Sequence, residues 1–376
     1  MWRRCRKGQV IIMKSRYYAV MILLCIVTIF SKSTTANADD RYVKLCERYF
    51  TEFAEDYGKF GQKDGFTYLY SDKKNTATIV AIPMEQKKVA VPEKINGKTV
   101  TKIELMDVFS CSSNYYFRDE FYGEHEDVPI PKVEYLSIPK TVKVIDCYEG
   151  GWLNNGYCKG MQSFLQNLKK FNVASGNKWY RSYKGVLYTK NGKKLITVPR
   201  KYTAKTVKVK KGTTKIADSA FSFCTNIKKV ILPDTVKVIE QNAFVRCSLN
   251  YIRMPRKLKE LGGTAFRSSA LKKITVYGKV ELDETFKYCK KLKTVVLKKG
   301  VKELGEYVFI DCPKLKSVTV PKGIKNLWLY IDSIFYYRGL KCNLSNITIK
   351  TPKNSEMYKE RKFLKKRYKI KVKVIK

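Results

Sequence analysis

Apolar residues along the second half of the chain recur with two superposed periods, one long and one short. Phe221, Phe244, Phe266, Phe286 and Phe309 follow one another at intervals of 23, 22, 20 and 23 residues. Ile227, Leu249, Leu271, Leu292 and Leu315 trail them, and a short apolar alternation opens three residues after each. Within these alternations Val230 with Leu232, Ile252 with Met254, Ile274 with Val276, Val295 with Leu297 and Val318 with Val320 are spaced by two. That is the period of a strand with one buried face. A second pair follows in each repeat, as in Val236 with Ile239, Leu258 with Leu261 and Val301 with Leu304.

One such unit cannot bury its own apolar face. Stacking units at the strand spacing of about 4.8 Å makes a continuous core with a parallel sheet along one side. The pattern therefore predicts a solenoid in which each repeat is one turn. Pro233, Pro255 and Pro321 close strands, where a residue without an N–H is tolerated. The second apolar pair would bring the coil back to its start. Gly262 and Gly263 fall at a repeat corner, where a turn explains them.

These residues resemble the BspA-like leucine-rich repeat family, whose repeat is an AF-x-x-C segment, a Leu, a short strand ending in Pro and a V-x-x-I pair. Asn96 to Ile103 with Phe109 and Cys111 is similar to the family's opening repeat. Tyr183 to Tyr188 with Leu195 to Pro199 is similar to its hairpin insertion, and Pro352 to Ser355 running into Tyr358 to its closing cap. The resemblance implies an α/β leucine-rich repeat solenoid over residues 65–350, interrupted by an irregular insertion at 146–166 that carries Trp152. Phe286 arrives one residue early and Ser269 stands where the other repeats have Cys.

The ends read as caps. Residues 39–64 are expected to form an N-terminal cap, with Tyr42, Cys46, Tyr49, Phe50, Phe53 and Tyr57 on one helical face and Gly58 as a stop. Residues 351–376 form the C-terminal cap, a Lys-rich helix followed by an alternating strand at Tyr368 to Val374. Ahead of both, Lys14 and Arg16 precede an apolar run from Ala19 to Phe30 that closes at Ala36-Asn37-Ala38, so residues 1–38 read as a secretory signal peptide. Met13 already supplies a complete leader. No membrane span is expected in the mature chain, since the apolar run is too short to cross a bilayer.

The 76 Lys and Arg against 33 Asp and Glu give a formal charge of +43, which makes an anionic partner plausible without specifying a nucleic acid. Nine of the 11 cysteines lie outside the leader. Cys224, Cys247, Cys289 and Cys312 share one repeat position, which suits either buried thiols or adjacent bridges. Residues stacked in a parallel ladder point the same way, and this favours thiols. Zinc is not expected without a Cys-x-x-Cys pair. The single His, His125, sits among acids in Glu124-His125-Glu126-Asp127, and no GxxxxGKS phosphate loop occurs. No cofactor, metal or catalytic residue is expected, although two suitably spaced carboxylates of a glycosidase would leave no sequence signature.

The expected function is that of a secreted, non-enzymatic binding scaffold for extracellular proteins or glycans at the cell surface, the role that the family resemblance implies for adhesion. A second reading is a protein held noncovalently at the envelope by anionic polymers, and a third is a carbohydrate-active enzyme. Lys228, Lys272, Lys293 and Lys316 occupy one repeat position with Asn250 as the exception, and Lys229, Tyr251, Arg253 and Lys273 lie beside them on the strands. These eight are the candidate ligand-binding residues. A second column is expected at Lys237, Lys259, Glu281, Lys302 and Lys325.

Overall fold

The computed structural model describes residues 59–105, 130–145, 165–324, 334–337, 340–341 and 344–375. The leader, the helix expected up to Tyr57, Phe109, Cys111, His125, Trp152, Lys325 and nearly all of the 146–166 insertion lie outside them. Residues 59–63, assigned above to the N-terminal cap, are instead the strand Lys59–Lys63. It pairs antiparallel with Phe66–Ser71, which in turn pairs antiparallel with Thr76–Ala81. Gly65 in the left-handed region at φ 76° makes the tight reversal between the first two.

From there the chain coils as the repeat predicts. Each turn lays one short strand on a first parallel ladder. Lys88–Ala90 pairs with Tyr135–Ile138 and then Lys170–Val173; Thr206–Lys208 pairs with Lys229–Ile231 and then Tyr251–Arg253. A third segment runs from Lys273–Val276 through Thr294–Leu297, Ser317–Thr319 and Thr348–Thr351 to Lys371–Val374. The alternation read from the sequence holds throughout, because Val230, Leu232, Ile252, Met254, Ile274, Val276, Val295, Leu297, Val318 and Val320 are all buried.

One expectation needs enlarging. The returning apolar pair forms a second parallel ladder, so sheets line two sides of the coil. Lys194–Thr197, Lys215–Ile216, Val238–Ile239 and Glu260–Leu261 pair in register, as do Glu281–Leu282 and Glu303–Leu304. Two-residue strands are too short to show an alternation in the sequence, and only their buried member (Ile216, Ile239, Leu261, Leu282, Leu304) carries the signal.

Between the ladders, the AF-x-x-C corners stack the phenylalanines. Phe221, Phe244, Phe266, Phe286, Phe309 and Phe335 lie ring on ring with centroids 4.8, 5.0, 5.8, 5.8 and 5.4 Å apart. The early Phe286 keeps its place in the column because the corner itself is shortened. Leu282 to Phe286 is one residue tighter than Leu261 to Phe266, and both ends remain buried. Every corner holds two non-glycine residues in the left-handed region: Ser219 and Phe223, Asn242 and Arg246, Thr264 and Ser268, Glu284 and Tyr288, Tyr307 and Asp311. The cost of those backbones is offset by burial of the Phe and Cys that they aim inward.

The hairpin Tyr180–Tyr183 with Val186–Thr189 sits where the sequence places the insertion. Its second strand is a partition, with Leu187 packed into the N-terminal core while Val186 and Tyr188 pack into the C-terminal one. A strand buried on both faces reads as an unbroken apolar run, as Val186-Leu187-Tyr188 does. Toward the C-terminus Ser355 caps the helix Glu356–Lys359, its hydroxyl accepting from the Tyr358 amide, and the helix Arg361–Tyr368 leads into the final rung.

Candidate functional site

The outward positions of the first ladder form the surface on which the candidate residues meet. Lys228, Lys272, Lys293 and Lys316 stand in one row just ahead of the strands, all exposed. Backbone amides tie the row in two stretches: Asn250 N donates to Lys228 O at 2.8 Å in the first, and Lys293 N to Lys272 O at 2.8 Å and Lys316 N to Lys293 O at 2.9 Å in the second. The structure adds Lys205, whose carbonyl accepts from Lys228 N at 2.8 Å. Lys205 stands two residues before the buried Val207, as Lys228 stands two before Val230. Ala204 replaces the marker Ile or Leu, which is why the repeat pattern missed it.

Lys229 and Tyr251 face each other across paired strands in the next row, the ammonium 5.5 Å from the ring centroid, and Lys273 opens the following segment of that row. Tyr251 is 51% exposed, the largest exposure among the large hydrophobic side chains described. Arg253 departs from its expected role. Its guanidinium donates to Leu232 O at 2.8 Å and to Asp234 at 2.8 Å, so it is committed to the preceding turn. Those bonds hold the Asp234 carboxyl below its ordinary pKa, with the Arg253 hydrogen bond the largest cause. By contrast, Lys228 Nζ donates only to its own Thr225 O at 2.9 Å, and Lys272, Lys293 and Lys316 make no ion pair among the described residues.

The second column of lysines is corrected by one residue. Lys302 N donates to Val280 O at 2.9 Å, so Val280 and not Glu281 belongs with Lys237, Lys259 and Lys302. Glu281 pairs with Glu303, and Glu260 occupies the same outward row. The sequence hides the shift because the stretch from Ile274 to Leu282 is one residue shorter than that from Ile252 to Leu261, so the position after the buried Val280 does not match the position after Leu258. Carboxylates are thus gathered on the second ladder, where Glu240 holds both Lys194 and Lys215, while the lysine row of the first ladder has none across from it. Among the described residues no group of three or more His, Cys, Asp or Glu could hold a metal ion, and no helix is long and apolar enough to cross a membrane.

The cysteine column is buried and unbridged at all four positions. Each thiol points at a carbonyl of the preceding turn: Cys247 Sγ lies 3.4 Å from Cys224 O, Cys289 Sγ 3.1 Å from Phe266 O and Cys312 Sγ 3.1 Å from Phe286 O. Ser269 fills the same column and sits 3.5 Å from Cys289 Sγ. Burial pushes the Cys247 thiol up to about 12 and Cys289 to about 11. The native protein is therefore expected to leave these thiols unmodified by a thiol reagent at pH 8, and to expose all four once denatured without reductant. Because the folded pKa values are raised, the thiols' contribution to stability is complete below about pH 8.5 and is lost as pH rises from there toward 11 and 12. Mass spectrometry that found Cys224 joined to Cys247, or Cys289 to Cys312, would refute the thiol ladder.

A third feature was not legible in the repeat. On the outward face of Lys88–Ala90, Tyr135–Ile138 and Lys170–Val173, a shallow depression of about 490 Å³ is lined by Lys88, Val89, Ala90, Tyr135, Ser137 and Asn172. Nothing in the spacing of apolar residues marks it, because outward positions are the ones the repeat leaves free to vary.

Several solved structures are similar to this chain. The pneumococcal vaccine antigen PcpA is 16% identical, with 85% of this chain and 99% of that chain covered and a TM-score of 0.49. A leucine-rich repeat protein from Eubacterium ventriosum is 22% identical over 69% of this chain and 84% of its own, with a TM-score of 0.47. A leucine rich cell surface protein from Faecalibacterium prausnitzii is 16% identical over 86% and 96%, with a TM-score of 0.36. No curated protein matches the chain. The model of the BspA type leucine rich repeat region matches residues 201–282 and 282–367 in six copies, the turns in which the Phe and Cys columns, the paired ladders and the lysine row were found, and this stretch of the chain is a BspA type leucine rich repeat region.

Proposed function

We propose that the protein is a secreted or surface-displayed recognition scaffold without catalytic activity, and that it binds extracellular anionic glycans or glycan-bearing proteins along the outward face of its first ladder. The observation that carries this reading is the row of exposed lysines in two stretches, Lys205 with Lys228 and Lys272 with Lys293 and Lys316, each stretch held in register by backbone hydrogen bonds and with no carboxylate standing among its members. Like charges set about 4.8 Å apart on successive rungs repel one another. A row of this kind is a standing cost that a linear polyanion relieves by displacing counterions, through backbone charge and without reading a base sequence. Tyr251, half-exposed beside Lys229, adds an apolar face within the same surface.

The test is retention on immobilised heparin as salt rises. The chain without its leader is expected to bind at low salt and to elute as salt is increased. Replacing Lys228, Lys272, Lys293 and Lys316 together by Gln should move elution to lower salt and reduce the slope of log K against log salt by up to about four, since each lysine releases about one counterion. The melting temperature should not fall, because all four side chains are exposed. A variant that elutes with the parent would show the row to be only a solvated face. Retention at a cell surface through wall polymers is the second reading, and a salt wash of intact cells distinguishes it from free secretion.

A further inference from the structure

The depression on the N-terminal segment of the first ladder is separate from the lysine row. The hairpin tip takes the place of the next rung, with Phe171 N donating to Gly185 O at 2.9 Å, and the following strand Thr206–Lys208 does not pair with Lys170–Val173. Each segment therefore presents its own outward surface.

Register fixes what the depression offers. Lys88, Tyr135 and Lys170 are direct cross-strand neighbours, so one row reads cation, aromatic ring, cation. Ala90, Ser137 and Asn172 form the neighbouring outward row, and their small size is what leaves the space. The Ser137 hydroxyl and the Asn172 carboxamide have no intramolecular hydrogen bond among the described residues and are not fully buried. Tyr135 is half-buried, so part of its ring faces the depression. The carboxylate nearest in register, Glu134, is neutralised by Lys169 at 2.8 Å, and that contact holds its pKa below the ordinary value.

We infer that this depression is a subsite for one acidic sugar unit of an extracellular glycan. The inference rests on the proposed function for its setting, but on different residues. The apolar C–H face of a pyranose packs on the Tyr135 ring. An amide that both donates and accepts, beside a hydroxyl that does the same, matches a vicinal diol. Lys88 lines the depression and Lys170 stands on the opposite side of Tyr135 in register, so a carboxylate or sulfate substituent is met by a charge-assisted hydrogen bond, which is stronger than a neutral one. A nucleic acid fits less well. Stacking of successive bases needs successive aromatic rings, and this surface supplies one ring above a floor of small polar side chains.

The experiment is calorimetric titration of the full chain without its leader, using a tetrasaccharide that contains uronic acid, a neutral tetrasaccharide of equal length and a tetranucleotide. The acidic sugar is expected to bind, the neutral one about tenfold more weakly or worse, and the tetranucleotide no better than the neutral sugar. Tyr135→Ala and the occluding Ala90→Trp should each weaken the acidic sugar by about tenfold or more, whereas Tyr135→Phe, which keeps the ring, should stay within about twofold. Thermal melting of the variants identifies any that fail to fold, and Asn172→Ala, which removes the carboxamide and should weaken the acidic sugar by about fivefold or more, then decides the matter. Absence of binding, indifference to Tyr135→Ala and Ala90→Trp in folded variants, equal binding of the neutral sugar, or preference for the tetranucleotide each overturns the subsite. The quadruple lysine variant tells the two readings apart. If it loses heparin but the tetrasaccharide ignores Tyr135, the subsite fails alone. If tetrasaccharide binding depends on Tyr135 while heparin elution is unaltered, the lysine row fails alone.

Discussion

Phe244→Ala should lower the free energy of unfolding by about 3–5 kcal/mol, the range for truncating a fully buried phenylalanine. Phe244 is fully buried and lies between two rings, with Phe221 at 4.8 Å and an interplanar angle of 22°, and Phe266 at 5.0 Å and 5°. Truncation removes both stacks together with the area buried, and the cavity cannot close easily. Ala243 N-terminal to it is also buried, and the corner backbone is pinned by Phe244 N donating to Ala265 O at 2.8 Å. The same side chain supports turns on either side, so the loss should spread along the coil as a reduced cooperativity of unfolding, the behaviour of a stack held by nearest-neighbour contacts. Tyr251→Ala, on the exposed face, serves as the control and should cost no more than about 0.5 kcal/mol. Urea denaturation of both variants is the measurement. A midpoint for Phe244→Ala equal to that of Tyr251→Ala would sink the column as a source of stability.

How far the sequence disclosed this molecule depends on whether a residue is tied to a partner in every turn. The Phe column, the inward strand positions and the Cys column recur because each is buried against its copy above and below, and these were read correctly down to individual residues. The second ladder was legible only as an apolar pair, since a strand of two residues has no alternation to show. The shift from Glu281 to Val280 came from a turn that is one residue shorter between its two strands, eight positions from Ile274 to Leu282 against nine from Ile252 to Leu261, which only backbone pairing could reveal. The commitment of Arg253 to Asp234 joins residues of adjacent turns and has no counterpart in the other repeats, so no pattern announced it. The Tyr135 depression is a vacancy left by small side chains on three different turns, and a vacancy has no periodicity. Surfaces that recognise ligands are written at the positions a repeat leaves free. The lysine row was found because it repeats, and the depression was missed because it does not.

The glycines show the same distinction between a turn and a close approach, and they carry the second large effect. Gly262 had been explained by a turn at the repeat corner, yet its backbone is not left-handed; a Cβ there would overlap the backbone of Glu240 and Gln241 in the turn before. Gly278 combines both constraints. It has φ 95°, and an added Cβ would overlap the carbonyl oxygen of Leu258, the same oxygen that accepts from Lys279 N at 3.1 Å. Neither the clash nor the backbone can be relieved by rotating a side chain, so the rung must move. Gly278→Ala is therefore expected to cost about 3 kcal/mol or more, the sum of a disfavoured backbone and a displaced hydrogen bond. Gly212 has φ 83° but open space around it, and Gly212→Ala should cost only the backbone preference, about 1 kcal/mol. Gly323 has neither constraint, and Gly323→Ala should be close to neutral. The order of the three urea midpoints tests the argument, and it fails if Gly278→Ala is no worse than Gly212→Ala. The consequence reaches the binding face as well. Gly278 lies two residues after the strand Lys273–Val276, whose partner Thr294–Leu297 carries the register between Lys272 and Lys293. A displaced rung at Gly278 would stagger the lysine row at that point, so a folded Gly278→Ala variant should also elute from heparin at lower salt than the parent, although no charge has been removed.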